Sequence, residues 1–300
     1  MNPPAGAAQW RLTPERGSMP MIRLMARLSL LLGRSPSRVL LYAVAAYFLA
    51  FGGAARRASR EYLGRALGRP STLRESYRHF LTFATTVHDR IYLLKGRFDL
   101  FDIEVRGAEL FGPEGALLMG AHFGSFEALR ACGRKLGHRR VAMTMYEENA
   151  RKVAAVLDAI SPAASEDIVA LGRPEAMLEL RGLLEQGALV GVLADRTPGD
   201  DPVIEVEFLG LPARFPTGPM RMAAVLRQRV IFMAGVHLGG NRYEVGFEPL
   251  VDFSGLGELL PEARAQHVAD AVRAYAGVLE RHVRAAPWNW FNFYDFWGKA

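Results

Sequence analysis

Residues 115–127 (Gly-Ala-Leu-Leu-Met-Gly-Ala-His-Phe-Gly-Ser-Phe-Glu) carry a pattern that few folds accommodate. A short apolar run is bounded by glycines, which is typical of a buried strand. Gly120 and Gly124 bracket the next three residues and permit backbone angles that other residues avoid. Ser125 can then cap a helix whose first turn contains Glu127, where the helix dipole favours an anion. The stretch therefore predicts a strand, a turn carrying His122, and a helix.

The two ionisable residues of this stretch suit proton transfer. His122 and Glu127 are five residues apart, a spacing that does not place them on one face of a continuous helix. With His122 on the turn and Glu127 on the helix, the side chains can meet. A carboxylate bonded to one ring nitrogen fixes the tautomer and leaves the other nitrogen free as a base. We therefore predict that His122 and Glu127 form a general-base pair that activates a hydroxyl on a bound substrate.

The segment His122-Phe-Gly-Ser-Phe-Glu127 resembles the histidine-x4-acid motif of the lysophospholipid acyltransferase superfamily. It is most similar to the branch of the late lipid A (lauroyl or myristoyl) acyltransferases, where His-Phe-Gly followed by an aromatic residue and Glu is usual. The resemblance extends from roughly residue 10 to the C-terminus. It implies an enzyme that moves a fatty acyl chain from an acyl thioester to a hydroxyl or amine of a lipid or glycolipid, with no cofactor.

Strand and helix patterns alternate in the rest of the chain. We predict strands at 103–105, 139–146, 168–171, 188–194, 203–208, 230–238 and 243–250, and helices at 149–160, 174–186, 218–228 and 261–285. Strands separated by helices predict an α/β fold with a mixed, largely parallel central sheet flanked by helices, and the resemblance implies a glycerolipid acyltransferase-like arrangement. Because no Ser/Pro/Gly-rich linker divides the chain, we predict one structural unit. It comprises an N-terminal helical segment over 1–95 and an acyltransferase α/β domain over 96–300.

The distribution of charge points to an anionic partner at the N-terminal end. Residues 1–80 carry 13 arginines and 3 glutamates, a net charge of +10, and the remainder carries 24 basic and 28 acidic residues, a net charge of −4, which gives the chain +6. The arginines are interleaved with long apolar runs and no nucleic-acid-binding motif is present, so a membrane surface fits better than nucleic acid. The 1–95 segment is therefore predicted to associate with a membrane.

Residues 39–55 are uncharged over 17 positions, which is near the lower limit for a spanning helix. Basic residues flank this segment on both sides and give no clear orientation. It is either an interfacial or hairpin-like membrane element or a buried helix of the domain. The single cysteine, Cys132, excludes an internal disulfide and suits a reducing compartment. With the resemblance, this predicts the cytoplasmic face of the inner membrane, with peripheral or N-terminal attachment.

The resemblance also implies substrate-binding positions near the ends of predicted strands. Tyr146-Glu-Glu-Asn149 is similar to a Tyr-Arg-x-x-x-Asn-like element of the family, with glutamate where arginine is common. Asp195 and Arg196 resemble the family's aspartate-containing loop, and such an arginine either binds phosphate or carboxylate or pairs locally with Asp195. A third element comprises Thr217, Gly218 and Arg221, at a helix start whose N–H groups can bind an anion or an oxyanion.

The absence of other motifs limits the reactions that the sequence predicts. No histidine, cysteine or carboxylate spacing indicates a metal site, and no Gly-x-Ser-x-Gly motif supplies a nucleophile. The acceptor would then attack the thioester directly. The resemblance implies acyl carrier protein or coenzyme A as donor, and the acceptor remains open between a lipid A-like glycolipid, an ornithine-type aminolipid and a polyene lipid. Two alternatives also remain, an acyl thioesterase and a non-catalytic module that binds membrane or carrier protein.

Residues 287–297 are dense in aromatic side chains. Three roles are open for this tail. It can lie at the headgroup level of a membrane, line an acyl groove or pack against the sheet.

Overall fold

The computed structural model describes residues 19–128, 139–146, 168–196, 201–255 and 261–298. The helices, in chain order, are α1 (Met19–Leu32), α2 (Arg34–Ser37), α3 (Val39–Phe51), α4 (Gly53–Leu67), α5 (Leu73–Leu94), α6 (Pro174–Glu185), α7 (Gly218–Val225) and α8 (Pro261–Ala285). The strands are β1 (Asp102–Arg106), β2 (Ala116–Gly120), β3 (Val141–Tyr146), β4 (Ile168–Leu171), β5 (Leu189–Leu193), β6 (Val203–Phe208), β7 (Leu211–Pro216), β8 (Arg229–Gly239) and β9 (Arg242–Asp252). The helix predicted at 149–160 lies outside the described residues.

Seven strands form one mixed sheet in the order β1-β9-β8-β2-β5-β3-β4. The pairs β8–β2, β2–β5, β5–β3 and β3–β4 are parallel, and the edge pair β1–β9 is also parallel. Strands β8 and β9 pair antiparallel, as the predicted hairpin requires. The α/β fold with a largely parallel sheet is therefore confirmed. Strand β6 lies apart from this sheet, where it pairs antiparallel with β7, a strand that the sequence pattern did not predict.

Strand β2 lies at the centre of the sheet and every one of its residues is buried. Leu117 and Met119 belong to the core on the face that also contains Leu279 of α8. Leu118 belongs to the core on the opposite face, with Leu93 of α5. This alternation follows the two-residue period of a strand, and burial on both faces is expected for a parallel strand covered by helices. The position of β2, and of the turn that follows it, is thus fixed from two sides.

The apolar segment 39–55 does not fold into one long helix, because the chain breaks at Gly52 between α3 and α4. Among the described residues, no single helix is long and apolar enough to cross a membrane; Arg34–Phe51 and Gly53–Leu67 meet that criterion only as a pair, bent by 95°. The large apolar side chains that α1 and α3 expose are those of Leu28, Leu30, Leu31, Leu32, Val39, Leu40, Tyr42, Tyr47 and Phe51. Such exposure does not fit a helix buried in a soluble core.

A buried ion pair fastens these N-terminal helices to the sheet. Both guanidinium nitrogens of Arg34 that face Asp89 of α5 donate to its carboxylate at 2.8 Å, and the Tyr243 hydroxyl of β9 donates to the same group at 2.8 Å. Burial alone would raise the pKa of Asp89, but the His88 ring, 3.6 Å away, and the hydrogen bonds from Arg34 and Tyr243 hold it below its usual value. The exposed apolar face of α1 and α3 therefore has a defined orientation relative to the sheet.

Candidate active site

The site forms where two neighbouring parallel strands end. Strands β2 and β5 pair in register, with Gly120 opposite Leu193. His122 follows β2 by two residues and Asp195 follows β5 by two residues, so both leave the same edge of the sheet. The carboxyl ends of parallel strands are where open α/β sheets place their ligands.

His122 and Asp195 form a hydrogen-bonded pair. The His122 Nδ1 and Asp195 Oδ1 atoms are 2.8 Å apart, and the backbone N–H of His122 donates to Asp195 Oδ2 at 3.2 Å. Because an ionised carboxylate can only accept, the proton is on Nδ1 and the Nε2 lone pair is free. Asp195 is fully buried, whereas 38% of the His122 side chain is exposed. The imidazole thus presents a free basic nitrogen on a fixed tautomer.

A tryptophan from the C-terminal tail completes the environment of Asp195. The indole Nε1–H of Trp290 donates to Asp195 Oδ2 at 3.0 Å, and Trp290 is itself fully buried. Burial would raise the pKa of Asp195, but the charge and hydrogen bond of His122, the charge of Arg196 and the Trp290 hydrogen bond hold it far below its usual value. Asp195 is therefore an anion throughout the physiological pH range.

The pKa of His122 lies below the usual value for histidine. Burial is the largest cause, the positive charge of Arg196 adds to it, and the Asp195 carboxylate opposes it. Arg90 lowers it further. The imidazole is consequently neutral at neutral pH, which is the state that a general base needs before it accepts a proton.

Glu127, which was expected to hold His122, lies elsewhere. Its Oε1 atom is 2.7 Å from the Nε atom of Arg90 on α5, and the carboxylate that reaches His122 is that of Asp195, 73 residues further along the chain. Gly124, between the two residues, adopts a left-handed backbone conformation (φ +66°), and Glu127 lies beside α5, where it meets Arg90. The second oxygen of Glu127 is buried and has no hydrogen-bond partner among the described residues.

The turn between His122 and the helix is held by close backbone contacts. The N–H of Ser125 donates to the carbonyl of Gly235 in β8 at 2.7 Å, and the Ser125 hydroxyl accepts from the N–H of Ala128 at 3.3 Å, as a helix cap does. A Cβ atom on Gly124 would collide with the Gly235 carbonyl, and one on Gly235 would collide with the carbonyl of Ser125. Glycine is therefore required at both positions for His122 to lie where it does.

Arg196 is fastened to the tail and pairs only weakly with its neighbour. Its guanidinium donates to the carbonyl of Phe291 at 2.6 Å and lies 5.1 Å from the ring centre of Tyr294, whereas its Nε is 3.8 Å from Asp195. The N–H of Phe291 donates in turn to the carbonyl of His122 at 2.8 Å. Arg196 and the tail thus border the site together. Of the roles considered for the tail, packing against the sheet is the one observed for Trp290.

The remaining predicted substrate-binding residues make none of the contacts with His122 described above. Tyr146 is the last residue of β3, the strand beside β5, and so lies at the same sheet edge. The hydroxyl of Thr217 donates to the carbonyl of Pro202 at 3.0 Å and does not cap α7, which begins at Gly218. Arg221 is exposed on α7. No contact within the described part of the chain joins this helix start to His122, and Asn149 lies outside that part.

The sequence patterns did not identify two residues of the site, Arg90 and Trp290. Arg90 had no visible partner within its own helix, and its ion pair with Glu127 depends on the packing of α5 against the turn. Trp290 lay within a tail already notable for its aromatic residues, and a buried indole N–H needs an acceptor, which is the one available signal. Among the described residues, no group of three or more histidine, cysteine or acidic side chains is placed to hold a metal ion.

Fold and site together define an α/β protein with a neutral, carboxylate-held imidazole at the carboxyl edge of its sheet. The family described as bacterial lipid A biosynthesis acyltransferase matches residues 80–299, so the chain belongs to that family. The protein is therefore an acyltransferase, an enzyme that transfers an acyl group to a lipid acceptor, and its family acts at the membrane. The family resemblance predicted from the His122 motif is confirmed.

Comparison with solved structures finds one of a 1-acyl-sn-glycerophosphate (LPA) acyltransferase, PlsC, from Thermotoga maritima. The similarity covers 82% of this chain and 99% of that chain, at 18% sequence identity and a TM-score of 0.37. Comparison with the curated proteins found no match.

Proposed function

We propose that the protein transfers a fatty acyl chain from an acyl thioester to a hydroxyl or amine of a lipid or glycolipid, with His122 as the general base. The observation that carries this proposal is the 2.8 Å hydrogen bond from His122 Nδ1 to Asp195, which leaves Nε2 free on a side chain that is 38% exposed. Asp195 is a positioning residue in this proposal, since it acts on the substrate through His122.

The proposed reaction balances without a protein nucleophile. His122 Nε2 accepts the proton of the acceptor hydroxyl or amine while its oxygen or nitrogen attacks the thioester carbonyl. The tetrahedral intermediate collapses with cleavage of the carbon–sulfur bond, and the imidazolium returns the proton to the departing thiolate. Asp195 stabilises the imidazolium between these two steps, because the buried carboxylate stays ionised.

Glu127 has a second positioning role in this proposal. The positive charge of Arg90 lowers the pKa of His122, and Glu127 lies 2.7 Å from that guanidinium. The carboxylate offsets a charge that would otherwise oppose protonation of His122. Tyr146, Asn149, Arg196, Thr217, Gly218 and Arg221 are proposed to bind substrate, on the family resemblance and on the position of Tyr146 and Arg196 at the sheet edge.

The proposed setting is the cytoplasmic face of the inner membrane, with the helices of residues 1–95 attached to the bilayer. Support comes from the exposed apolar side chains of α1 and α3 and from the excess of arginine in this segment. The proposed donor is an acyl carrier protein or coenzyme A thioester. The arginines around the N-terminal helices favour the acidic carrier protein.

A substitution at His122 tests the proposed chemistry. We expect His122→Ala, purified as a folded protein, to lose about 10²–10⁴-fold in acyl transfer, measured by mass spectrometry of lipid products from an acyl thioester and a lipid extract. The matched control is His267→Ala, which replaces an exposed histidine of α8. Full turnover by His122→Ala would refute the proposal. Free fatty acid released at the same rate with and without lipid would favour the thioesterase.

A further inference from the structure

A pocket that His122 does not line lies at the same edge of the sheet as His122. It is a pocket of about 210 Å³ between α5, the tip of the β8–β9 hairpin and the tail, and Arg38, Arg78, Thr85, His237 and Trp288 contribute to its walls. Strand β8 is parallel to β2, so its carboxyl end, where His237 lies, faces the same way as the turn that bears His122. Nothing in the proposed acyl transfer chemistry uses these residues.

The walls of this pocket carry hydrogen-bond donors and positive charge, and no carboxylate. One guanidinium nitrogen of Arg38 donates to the carbonyl of Gly240 at 2.6 Å, which fixes the group. The guanidinium of Arg78 lies 3.7 Å from the ring centre of Trp288. Neither arginine pairs with a carboxylate in the described ranges, and the neighbouring Asp89 is already held by Arg34. Two guanidinium groups left without an anion are suited to binding one.

Two buried ring nitrogens of the pocket walls also lack partners. His237 Nε2 and Trp288 Nε1 are shielded from solvent, and neither makes a hydrogen bond to any part of the chain that the structure describes. Burial costs such groups free energy unless a partner is supplied. Burial is also the largest cause that lowers the pKa of His237; the charges of Arg38 and Arg34 add to it, and the charge of Asp89 and an interaction of the ring with the Gly240 carbonyl oppose it. A bound anion would favour the imidazolium form of His237 and accept from the indole.

Asn289 connects this pocket to the turn that carries His122. The side chain of Asn289 accepts from the backbone N–H of His237 at 2.8 Å and donates to its carbonyl at 3.3 Å. The backbone carbonyl of Asn289 accepts from the N–H of Gly124 at 2.8 Å, and the next residue, Trp290, binds Asp195. Hydrogen bonds of Asn289 and Trp290 therefore connect the wall of the pocket to the turn and the carboxylate that orient the general base.

The surroundings of the pocket indicate that its ligand also carries an apolar group. Leu81, Leu238 and Trp288 add apolar walls. Arg38 immediately precedes α3, where Val39 and Leu40 are 66% and 43% exposed. An anion at Arg38 with hydrocarbon attached would have apolar surface directly beside it. This combination of charge and apolar surface is expected for the headgroup of an amphiphile and not for a fully hydrated ion.

We propose that this pocket binds a phosphate monoester, held by the guanidinium groups of Arg38 and Arg78, the indole N–H of Trp288 and His237. If the proposed acyl transfer holds, the pocket anchors a phosphorylated lipid acceptor beside His122; this part rests on the proposed function, whereas phosphate binding does not. The phosphate can come from a lipid headgroup or from a soluble phosphate compound, and the two sources are separable in solution.

Equilibrium binding to the full-length protein in non-ionic detergent tests the pocket. The probes are dihexanoyl phosphatidic acid, dihexanoylglycerol, which lacks the phosphate, and inorganic phosphate. We expect phosphatidic acid to bind, dihexanoylglycerol not to, and Arg78→Gln and Arg38→Gln each to weaken binding by about 10- to 100-fold, the loss of a hydrogen bond to a charged group. Arg78→Gln removes no backbone contact, so it remains informative if Arg38→Gln does not fold.

The matched control is Arg74→Gln, which removes an exposed arginine one turn earlier on α5 and should leave binding unchanged. Tighter binding of phosphatidic acid than of inorganic phosphate assigns a lipid source, and the reverse assigns a soluble one. Equal binding of dihexanoylglycerol, or equal loss in Arg74→Gln and Arg78→Gln, would overturn the proposal. His122→Ala should bind as the unmodified protein does, so failure of the acyl transfer proposal and failure of the pocket are separate results.

Discussion

The hydrogen bond between His122 and Asp195 decides which nitrogen of the imidazole can act as a base. An amide at position 195 can donate to Nδ1, which would move the ring proton to Nε2 and remove the free lone pair. We expect Asp195→Asn to lose about 10²–10⁴-fold in kcat with little change in KM, measured by steady-state acyl transfer on protein whose fold is verified by circular dichroism.

The matched substitution is Glu127→Gln, which leaves the His122–Asp195 contact intact. It should cost less in kcat than Asp195→Asn. It should also move the acid limb of the pH profile to lower pH, because the charge of Arg90 is then no longer offset and lowers the pKa of His122 further. A larger loss in Glu127→Gln than in Asp195→Asn would contradict the assigned roles.

His79 gives the fold a pH dependence of its own. It is fully buried; Ser59 donates to its Nδ1 at 2.9 Å, and its Nε2 donates to the carbonyl of Trp290 at 2.9 Å. Burial lowers the pKa of His79 from 6.5 to about 4. The unfolded chain therefore binds more protons between these values, so about 3 kcal/mol of stability, complete above pH 6.5, is lost as the pH falls towards 4.

His79→Gln keeps a donor and an acceptor but does not titrate. Thermal unfolding of this variant between pH 4 and 6.5 should therefore depend less on pH than that of the unmodified protein. His267→Gln, at an exposed site, should leave the pH dependence unchanged. Identical pH profiles for all three proteins would show that His79 contributes nothing.

The sequence predicted the turn that carries His122, but it did not predict which carboxylate binds His122. The turn and its histidine follow from glycine spacing and apolar runs within 13 residues, and the structure has them as predicted. The partner of His122 depends on which strand lies beside β2, and that strand comes from a segment 73 residues further along. Asp195 was selected as a site residue for substrate binding, but the order of strands that makes it the partner of the base is not encoded locally.

Among the elements, the turn that carries His122 crosses β8 so closely that neither backbone has room for a side chain at the crossing. We expect Gly235→Ala to lower the free energy of unfolding by about 1–3 kcal/mol, because the added methyl group meets the Ser125 carbonyl, and to lower kcat by displacing His122. Gly246→Ala in β9 is the control, since a Cβ atom there meets no atom within 4 Å. Chemical denaturation and steady-state kinetics measure both effects. Equal behaviour of the two variants would show that the close approach can relax.

Element boundaries were predictable where hydrophobic periodicity was regular. The predicted strand at 168–171 and helix at 261–285 coincide with β4 and α8. Strand β7 was missed because prolines stand at two of its six positions, which argues against a strand in sequence reasoning but is tolerated in an isolated hairpin. A hairpin-like element was one interpretation of residues 39–55, but the sequence did not locate the break at Gly52, because apolar residues continue on both sides of it. A Cβ atom at Gly52 would collide with the carbonyl of Phe48.

For the whole molecule, the exposed apolar faces of α1 and α3 predict attachment to a bilayer. We expect Leu40→Glu to weaken binding to anionic vesicles by about 10-fold or more, since the substitution removes one exposed leucine that would insert into the bilayer and adds charge repulsion. Leu178→Glu, at a 73% exposed position on α6, is the control and should bind normally. Vesicle co-sedimentation measures both. Unchanged binding of Leu40→Glu would indicate that another surface meets the membrane.

The dependence of Asp195 on Trp290 has a consequence for the order of events during synthesis. A growing chain that has produced both strands of the site still lacks the indole, 95 residues later, that shares the charge of the buried carboxylate. Until then water must supply the hydrogen bond that the indole later donates to Asp195, and the aromatic rings of Tyr62 and Phe208, which lie 5.0 and 5.3 Å from that of Trp290, lack this packing partner. The acyl-transfer centre can therefore mature only after residue 290 has joined the fold, and shorter nascent chains should depend on chaperones.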